Sequence, residues 1–307
     1  MAELPREGQL LAVESLPTKA GGCAANVAID LAKQGIPVDV AGCLGADPSA
    51  RVLLASLEEH GVGCEQLVYT DKFPTSKTVI LLVAGQDRRY IHAFGANQAF
   101  SVGQINRDWV KELKVLYVGG LFLMPAFHLD EFLGLLEFCR EHGVITVVDV
   151  VIPQNSPIPQ DLGPLLRLSD YFMPNDDEAF LLTGLSDPHE QLRVFLKMGA
   201  QTVFITLGRK GVLAGQGNTC WQAGIYPSEM IDPSGSGDAF DAGVVAGILN
   251  GWDIPTIIRY ASALGASAIR AIGTTDGVFT AAQAEAFLST TTLEVQVSPI
   301  DALSHKE

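Results

Sequence analysis

The chain has 307 residues, 48% hydrophobic and 18% charged, enough for a large buried core in one big domain or a domain with a small appendage. Its formal net charge of −15 gives an acidic surface that argues against nucleic acid or anionic membrane as a partner. Five cysteines without a short spacing argue against a disulfide framework or zinc site, and neither a signal peptide nor a membrane-length apolar run is legible, so the chain reads as a cytoplasmic protein.

In chain order, QLLAVESLP reads as a short strand, and AANVAIDLAKQ as a helix entered through Gly21 and Gly22. VDVAGCLG reads as a strand and its exit. Pro48 then opens the helix PSARVLLASLEEH, and Gly61 closes it. TSKTVILLVAGQDRRYIHAFG holds two strand-like runs joined by Gly85-Gln86-Asp87, a hairpin signal and not a crossover helix. VLYVGG, VITVVDV, YFMPN and TVFITLG are β-branched or aromatic runs with little alternation, the pattern of parallel strands covered on both faces. Between them, HLDEFLGLLEFCREHG places Leu129, Phe132, Leu133 and Leu136 on one helical stripe. Strand and helix in repeated succession predict an α/β, doubly wound, mostly parallel sheet with helices on both faces, with a small antiparallel lid near its carboxyl edge.

The most informative stretch is DPSGSGDAF, Asp232 to Phe240, followed by a helical run in which Phe240, Val244 and Ile248 sit four apart and Gly251 ends the pattern. A bare loop at a helix N-terminus presents unpaired N–H groups and a favourable dipole to an anion. Gly235 and Gly237 have no side chain to obstruct a phosphate. A carboxylate at Asp238 is a poor phosphate ligand but a sensible general base toward an attacking hydroxyl. The competing interpretation is an ordinary turn and cap. Phe240 stands where a dinucleotide fingerprint needs its third glycine, and no Walker-type loop occurs, which disfavours those two alternatives.

These residues resemble the ribokinase-like, or PfkB-type, carbohydrate kinases, whose C-terminal signature reads Asp-Thr-x-Gly-Ala-Gly-Asp-x-Phe. Here Pro233 and Ser236 depart from it. GGCAANVAIDLAKQG matches the family's N-terminal Gly-Gly pair before Ala-Asn, and NDDE, TLGRKG and FGAN match further motifs in the family's order, so the resemblance runs from Gly21 over nearly the whole chain. It implies a single domain over 1–307, with a small β lid from about 8–20 and 75–100. The implied activity is ATP- and Mg2+-dependent phosphorylation of a hydroxymethyl group on a sugar or sugar-like substrate. Asp238 is then the base, and Gly235, Ser236 and Gly237 form the anion hole. Gly22 and Asn26 contact the sugar, with Asn97 on the lid side. Asn175 and Glu178 organise magnesium through water, and Thr206 and Gly208 contact the nucleotide. Asp232, Ser234, Ala268, Ala271 and Gly273 occupy positions where some relatives hold a monovalent cation such as K+, in part through backbone carbonyls. Relatives dimerise through their lids, which gives a homodimer as the expected assembly.

Several positions have a second interpretation. Asn175 and Glu178 also spell a reciprocal helix cap. Cys23 is either a reactive thiol at a helix start or a small packed residue. Arg88 and Arg89 either bring charge to a phosphate or stay solvated on the lid. The family's first central strand, which ends in a sugar-gripping aspartate, has no evident counterpart before LLAVESLP. That departure keeps open a catalytically silent sugar- or nucleotide-binding relative, beside a nucleoside kinase of the same fold.

Overall fold

The computed structural model describes residues 1, 4–83, 86, 88–153 and 158–300. Local capping chemistry sets many of its helix starts. The Asp47 carboxylate accepts from the Ala50 N–H at 3.0 Å and opens α2 (Pro48–Glu59), with Pro48 in the first turn. Thr280 and Gln283 form a reciprocal cap for α10 (Ala281–Thr290). The other helices are α1 (Cys23–Lys33), α3 (Arg107–Val110), α4 (Leu129–Glu141), α5 (Gly163–Leu168), α6 (Asp176–Thr183), α7 (Pro188–Lys197), α8 (Ser236–Leu249) and α9 (Ile254–Ala268).

Eleven strands are described: β1 (Asp39–Gly45), β2 (Gly63–Thr70), β3 (Lys77–Leu81), β4 (Arg89–Ala93), β5 (Val115–Val118), β6 (Ile145–Asp149), β7 (Tyr171–Met173), β8 (Thr202–Thr206), β9 (Val212–Gln216), β10 (Thr219–Ala223) and β11 (Val295–Pro299). Seven of them form the main sheet in the order β11-β10-β9-β8-β7-β6-β5. The apolar runs read as buried parallel strands are β5 to β8, paired in parallel and in chain order. Beyond β8 the sheet continues antiparallel through β9, β10 and β11, strands that the sequence reading did not single out.

Alternate residues of the strands enter different cores, which is why those runs lack polar alternation. Val148, Phe172, Val203, Ile205 and Leu213 face one cluster with α4, α5 and α7, while Val147, Met173, Phe204, Val212 and Ala214 face another with α8 and α9. Helices on both faces are therefore required by the strands' own composition.

The parallel pair β1-β2 stands as a separate two-stranded sheet, and none of the described residues before Asp39 forms a strand. Among the described residues, β5 and β1 each pair on one side only. Even so, Ala41 and Cys43 of β1 pack into the same core as Leu116 and Val118 of β5. The lid is the hairpin β3-β4, with Val79 opposite Ile91. Its expected turn at Gly85 and Asp87 lies outside the described residues. QLLAVESLP is corrected: residues 9–17 contain no strand and run exposed over the surface, with Leu10 92% and Leu16 85% accessible. The described hairpin pairs with no third strand, so this segment finds no ladder partner, and a lone strand leaves its backbone groups to water.

Two features carry direct tests. Gly243 and Gly247 on α8 face α9 so closely that a Cβ on Gly243 would collide with the Ala261 backbone and one on Gly247 with Ile257. Gly243→Ala is expected to cost roughly 1–3 kcal/mol of stability despite alanine's better helix propensity. Urea unfolding measures it, and an unchanged or raised midpoint would contradict the close packing of α8 on α9. Asp30, on α1, is fully buried, and neither carboxylate oxygen has a hydrogen-bond partner among the described residues. Burial pushes its pKa from 3.8 up to about 9, against the pull of Lys33. The folded chain thus keeps a proton that the unfolded chain releases, so stability falls as pH rises through that interval. Asp30→Asn is expected to raise the Tm by several degrees at pH 8 and by little near pH 4. A lowered Tm at pH 8 would show that Asp30 is instead a paired, stabilising anion.

Candidate active site

The loop before α8 divides its two glycines between different tasks. Gly235 is the N-cap with φ 78°, and a Cβ there would collide with the Thr274 carbonyl. A glycine is required there by backbone conformation and by packing. Gly237 has open space where a side chain would be. The Ser236 side chain turns back to donate to the Pro233 carbonyl at 3.0 Å, and its N–H reaches the same oxygen at 3.5 Å. The first-turn amides of Gly237 and Asp238 are left as the outward-facing donors of this helix start.

Asp238, in the same turn, is held from α1. Asn26 Nδ2 donates to Asp238 Oδ2 at 2.7 Å. Cys23 lies one turn earlier on that helix face, and its thiol also donates to the carboxylate. Burial raises the Asp238 pKa to about 6, and the Asn26 and Cys23 hydrogen bonds and the charge of Arg88 on the lid oppose that rise. The carboxylate is ionised at neutral pH yet basic enough to take a proton. Burial and the neighbouring carboxylates, Asp238 first among them, push the Cys23 thiol well up, which agrees with a small packed residue and not a reactive thiol. Arg88 stacks over Tyr90 and donates to its hydroxyl, while Arg89 is exposed and bonds Gln86.

The opposite wall comes from the carboxyl ends of β7 and β8. Asn175 and Glu178 form the reciprocal cap of α6, each side chain bonding the other's N–H at 2.9 Å. Asn175 also bridges to Thr206, which brings the NDDE and TLGRKG motifs together. Gly208, at φ 55°, begins the following turn with open space beside it. Glu178 is buried, and burial raises its pKa to about 7.

Two carboxylates absent from the sequence reading join this wall. Asp149 ends β6 and accepts from the Gly120 N–H at 2.9 Å, while Asp241 accepts from the Tyr117 hydroxyl at 2.7 Å. Desolvation, then mutual repulsion with Glu178 and Asp238, pushes both well above the usual carboxylate range. Each left a trace in the sequence: Asp149 is the one charge in the apolar run VITVVDV, and Asp241 follows Asp238 by three residues on one helix. Such a wall of hard oxygen donors suits Mg2+. Among the described residues no three or more acidic, histidine or cysteine side chains converge in a cluster that could hold a metal ion.

The remaining candidates fall into two places. Asp232 accepts from the Ser234 and Gly273 N–H groups at 2.9 and 3.2 Å, and so ties the loop before α8 to the turn after α9. Ala268, Ala271 and Gly273 lie along that turn, and the buried Ser234 hydroxyl has no partner among the described residues. Next to it lies a cavity of about 330 Å³, lined in part by Pro227, Ser228, Ala266, Arg270, Phe279 and Phe287, which the sequence reading missed. The Arg270 guanidinium lies 5.5 Å from the Phe279 ring centroid. Gly22 caps α1 at φ 111° with open space beside it. Asn97 is half-buried in the short turn after the lid hairpin.

A profile of the pfkB family carbohydrate kinases matches residues 2–281. The 2-dehydro-3-deoxygluconokinase of Bacillus subtilis is 26% identical over 92% of this chain and 90% of its own. A ribokinase of Arabidopsis thaliana is 27% identical over 88% of this chain and 72% of its own. The solved structure of Arabidopsis thaliana ribokinase complexed with ribose and ATP covers 94% of both chains with a TM-score of 0.81 and 24% identity, which establishes the ribokinase-like fold.

Chemistry that uses Asp238 as a base requires its ionised form, so kcat/KM is expected to fall as pH drops below about 6. A pH profile flat from 7 down to 5 would contradict that role.

Proposed function

The chain belongs to the pfkB family of carbohydrate kinases, and on that footing we propose that it transfers the γ-phosphoryl group of ATP to a hydroxymethyl group of a sugar or sugar-like substrate. The observation that carries this reading is a half-buried carboxylate, Asp238, in the same helix turn as the outward-facing Gly237 amide. In the proposed reaction Asp238 takes the acceptor hydroxyl's proton as the oxygen–phosphorus bond forms. The bond from the γ-phosphorus to the β–γ bridging oxygen breaks, and ADP leaves. The α8 N-terminus receives the equatorial oxygens, where fixed donors cost no reorganisation. Asn26 keeps the base oriented and ionised, and Gly22 opens the entry to α1 for the sugar. Asn97 and the β3-β4 hairpin cover that side, excluding water as a competing acceptor. Bound Mg2+ would neutralise phosphate charge beside Asn175 and Glu178, with Asp149 and Asp241 behind them.

Thr206 and Gly208 are placed for the nucleotide's phosphates, and the neighbouring cavity has room for its base between Phe279, Ala266 and Pro227. The orphaned Ser234 hydroxyl supports a monovalent cation held by Asp232, Ser234, Ala268, Ala271 and Gly273, largely through carbonyls. The exposed pair Val79 and Ile91 on the hairpin supports a homodimer through the lid.

A coupled assay of ADP release across ribose, fructose, 2-keto-3-deoxygluconate and adenosine tests the reading. One of the sugars is expected to stimulate Mg2+-dependent turnover, and Asp238→Asn to lower kcat by roughly 10²–10⁴-fold. Stimulation by adenosine alone would reassign the acceptor to nucleosides. No stimulation by any compound would leave a binding protein, and a fully active Asp238→Asn would remove the proposed base.

A further inference from the structure

Thr274 lies in the turn between α9 and α10, outside every motif of the sequence reading, yet it touches the base's support from two directions. Its carbonyl backs Gly235 closely enough to exclude a side chain there. Its hydroxyl lies 2.8 Å from Asn26 Oδ1 and 3.4 Å from the Ala20 carbonyl. A hydroxyl has one proton to donate, and the shorter contact takes it.

The consequence follows from the two ends of the Asn26 amide. Its Nδ2 end meets Asp238 Oδ2 at 2.7 Å, and its Oδ1 end meets Thr274. A half-turn of that amide would set an acceptor oxygen against an ionised carboxylate, two acceptors with no proton between them. The donor that makes the productive orientation the preferred one, on the Oδ1 side, is the Thr274 hydroxyl. We propose that Thr274 is a positioning residue for phosphoryl transfer, locking the Asn26 amide so that it presents its N–H to Asp238. This rests on the reading of Asp238 as the base, and it assigns Thr274 no contact with sugar or nucleotide.

Asp238 is faced by Cys23, Asn26 and Asp30 on α1, Arg88 on the lid, Tyr117 on β5, Asp149 on β6, Glu178 on α6 and Asp241 on its own helix. Apart from Asn26, none of these bonds the Thr274 hydroxyl, so Thr274→Val isolates the amide lock at nearly constant volume. The expected result is a kcat lowered about tenfold, part of a general base's whole contribution. The KM for ATP should stay within about twofold, and the acid limb of kcat should move up by roughly one pH unit. Thr274→Ser, which keeps the hydroxyl, is expected to retain wild-type behaviour on all three counts.

A Thr274→Val enzyme with unchanged kcat and acid limb would overturn the proposal. So would a Thr274→Ser enzyme as impaired as the valine variant, or full rescue of the valine variant by saturating potassium, which would move the effect to the neighbouring cation loop. Carbon-13 titration of the Asp238 carboxyl, assigned by its loss in Asp238→Asn, reads the same contact without turnover. An upward shift in Thr274→Val together with a fully active Asp238→Asn would uphold the lock and remove the base. No shift, with an inactive Asp238→Asn, would do the reverse.

Discussion

The site depends on keeping one half-buried carboxylate ionised beside three that burial pushes up, Asp149 and Asp241 well above the usual carboxylate range and Glu178 to about 7. Asp238, Asp149, Asp241 and Glu178 repel one another in a volume poor in water, and the charge settles where it is best supported. Asp238 has the strongest support: the α1 donors Asn26 and Cys23, the lid arginine Arg88, and a place in the first turn of α8. Asp241 has the Tyr117 hydroxyl and Asp149 the Gly120 amide, and burial outweighs each. A carboxylate poised near neutrality therefore arises from differences in hydrogen bonding among similar groups, with no unusual residue required.

The fold delivers these groups because its elements end at one edge. β5, β6, β7 and β8 run parallel, so the Gly119-Gly120 turn, Asp149, the Asn175 cap and Thr206 all emerge together at their carboxyl ends. The helices α1 and α8 bring their N-termini to the same place, and the glycine face of α8 holds it against α9. From α9 the chain passes directly into the turn that carries Gly273 and Thr274. Packing in the second core thus sets the distance between the loop before α8 and the turn behind it.

Much of this was legible in the sequence. The parallel strands announced themselves as unbroken apolar runs, because both of their faces are covered. DPSGSGDAF read correctly as a loop opening a helix, since serine, glycine and aspartate chemistry is local. What stayed hidden was non-local. QLLAVESLP has the composition of a strand but no partner, and pairing cannot be read from one segment. The strands β9, β10 and β11 are short and belong to the antiparallel side, where no crossover rhythm marks them. The Thr274 carbonyl that fills the space beside Gly235 left no sign in the loop's own sequence. Thr274 itself gave no signal, because its role depends on Asn26, 248 positions away in the chain.

The account turns on where the acceptor hydroxyl and the γ-phosphate sit relative to Asp238. A crystal structure with a sugar shown to be turned over and a non-hydrolysable ATP analogue measures that directly. The expected result places the acceptor hydroxyl within about 2.6–3.2 Å of an Asp238 carboxylate oxygen, with the γ-phosphate oxygens on the Gly237 and Asp238 amides. A ternary complex with the hydroxyl beyond Asp238's reach, or with the phosphate away from the α8 N-terminus, would contradict it.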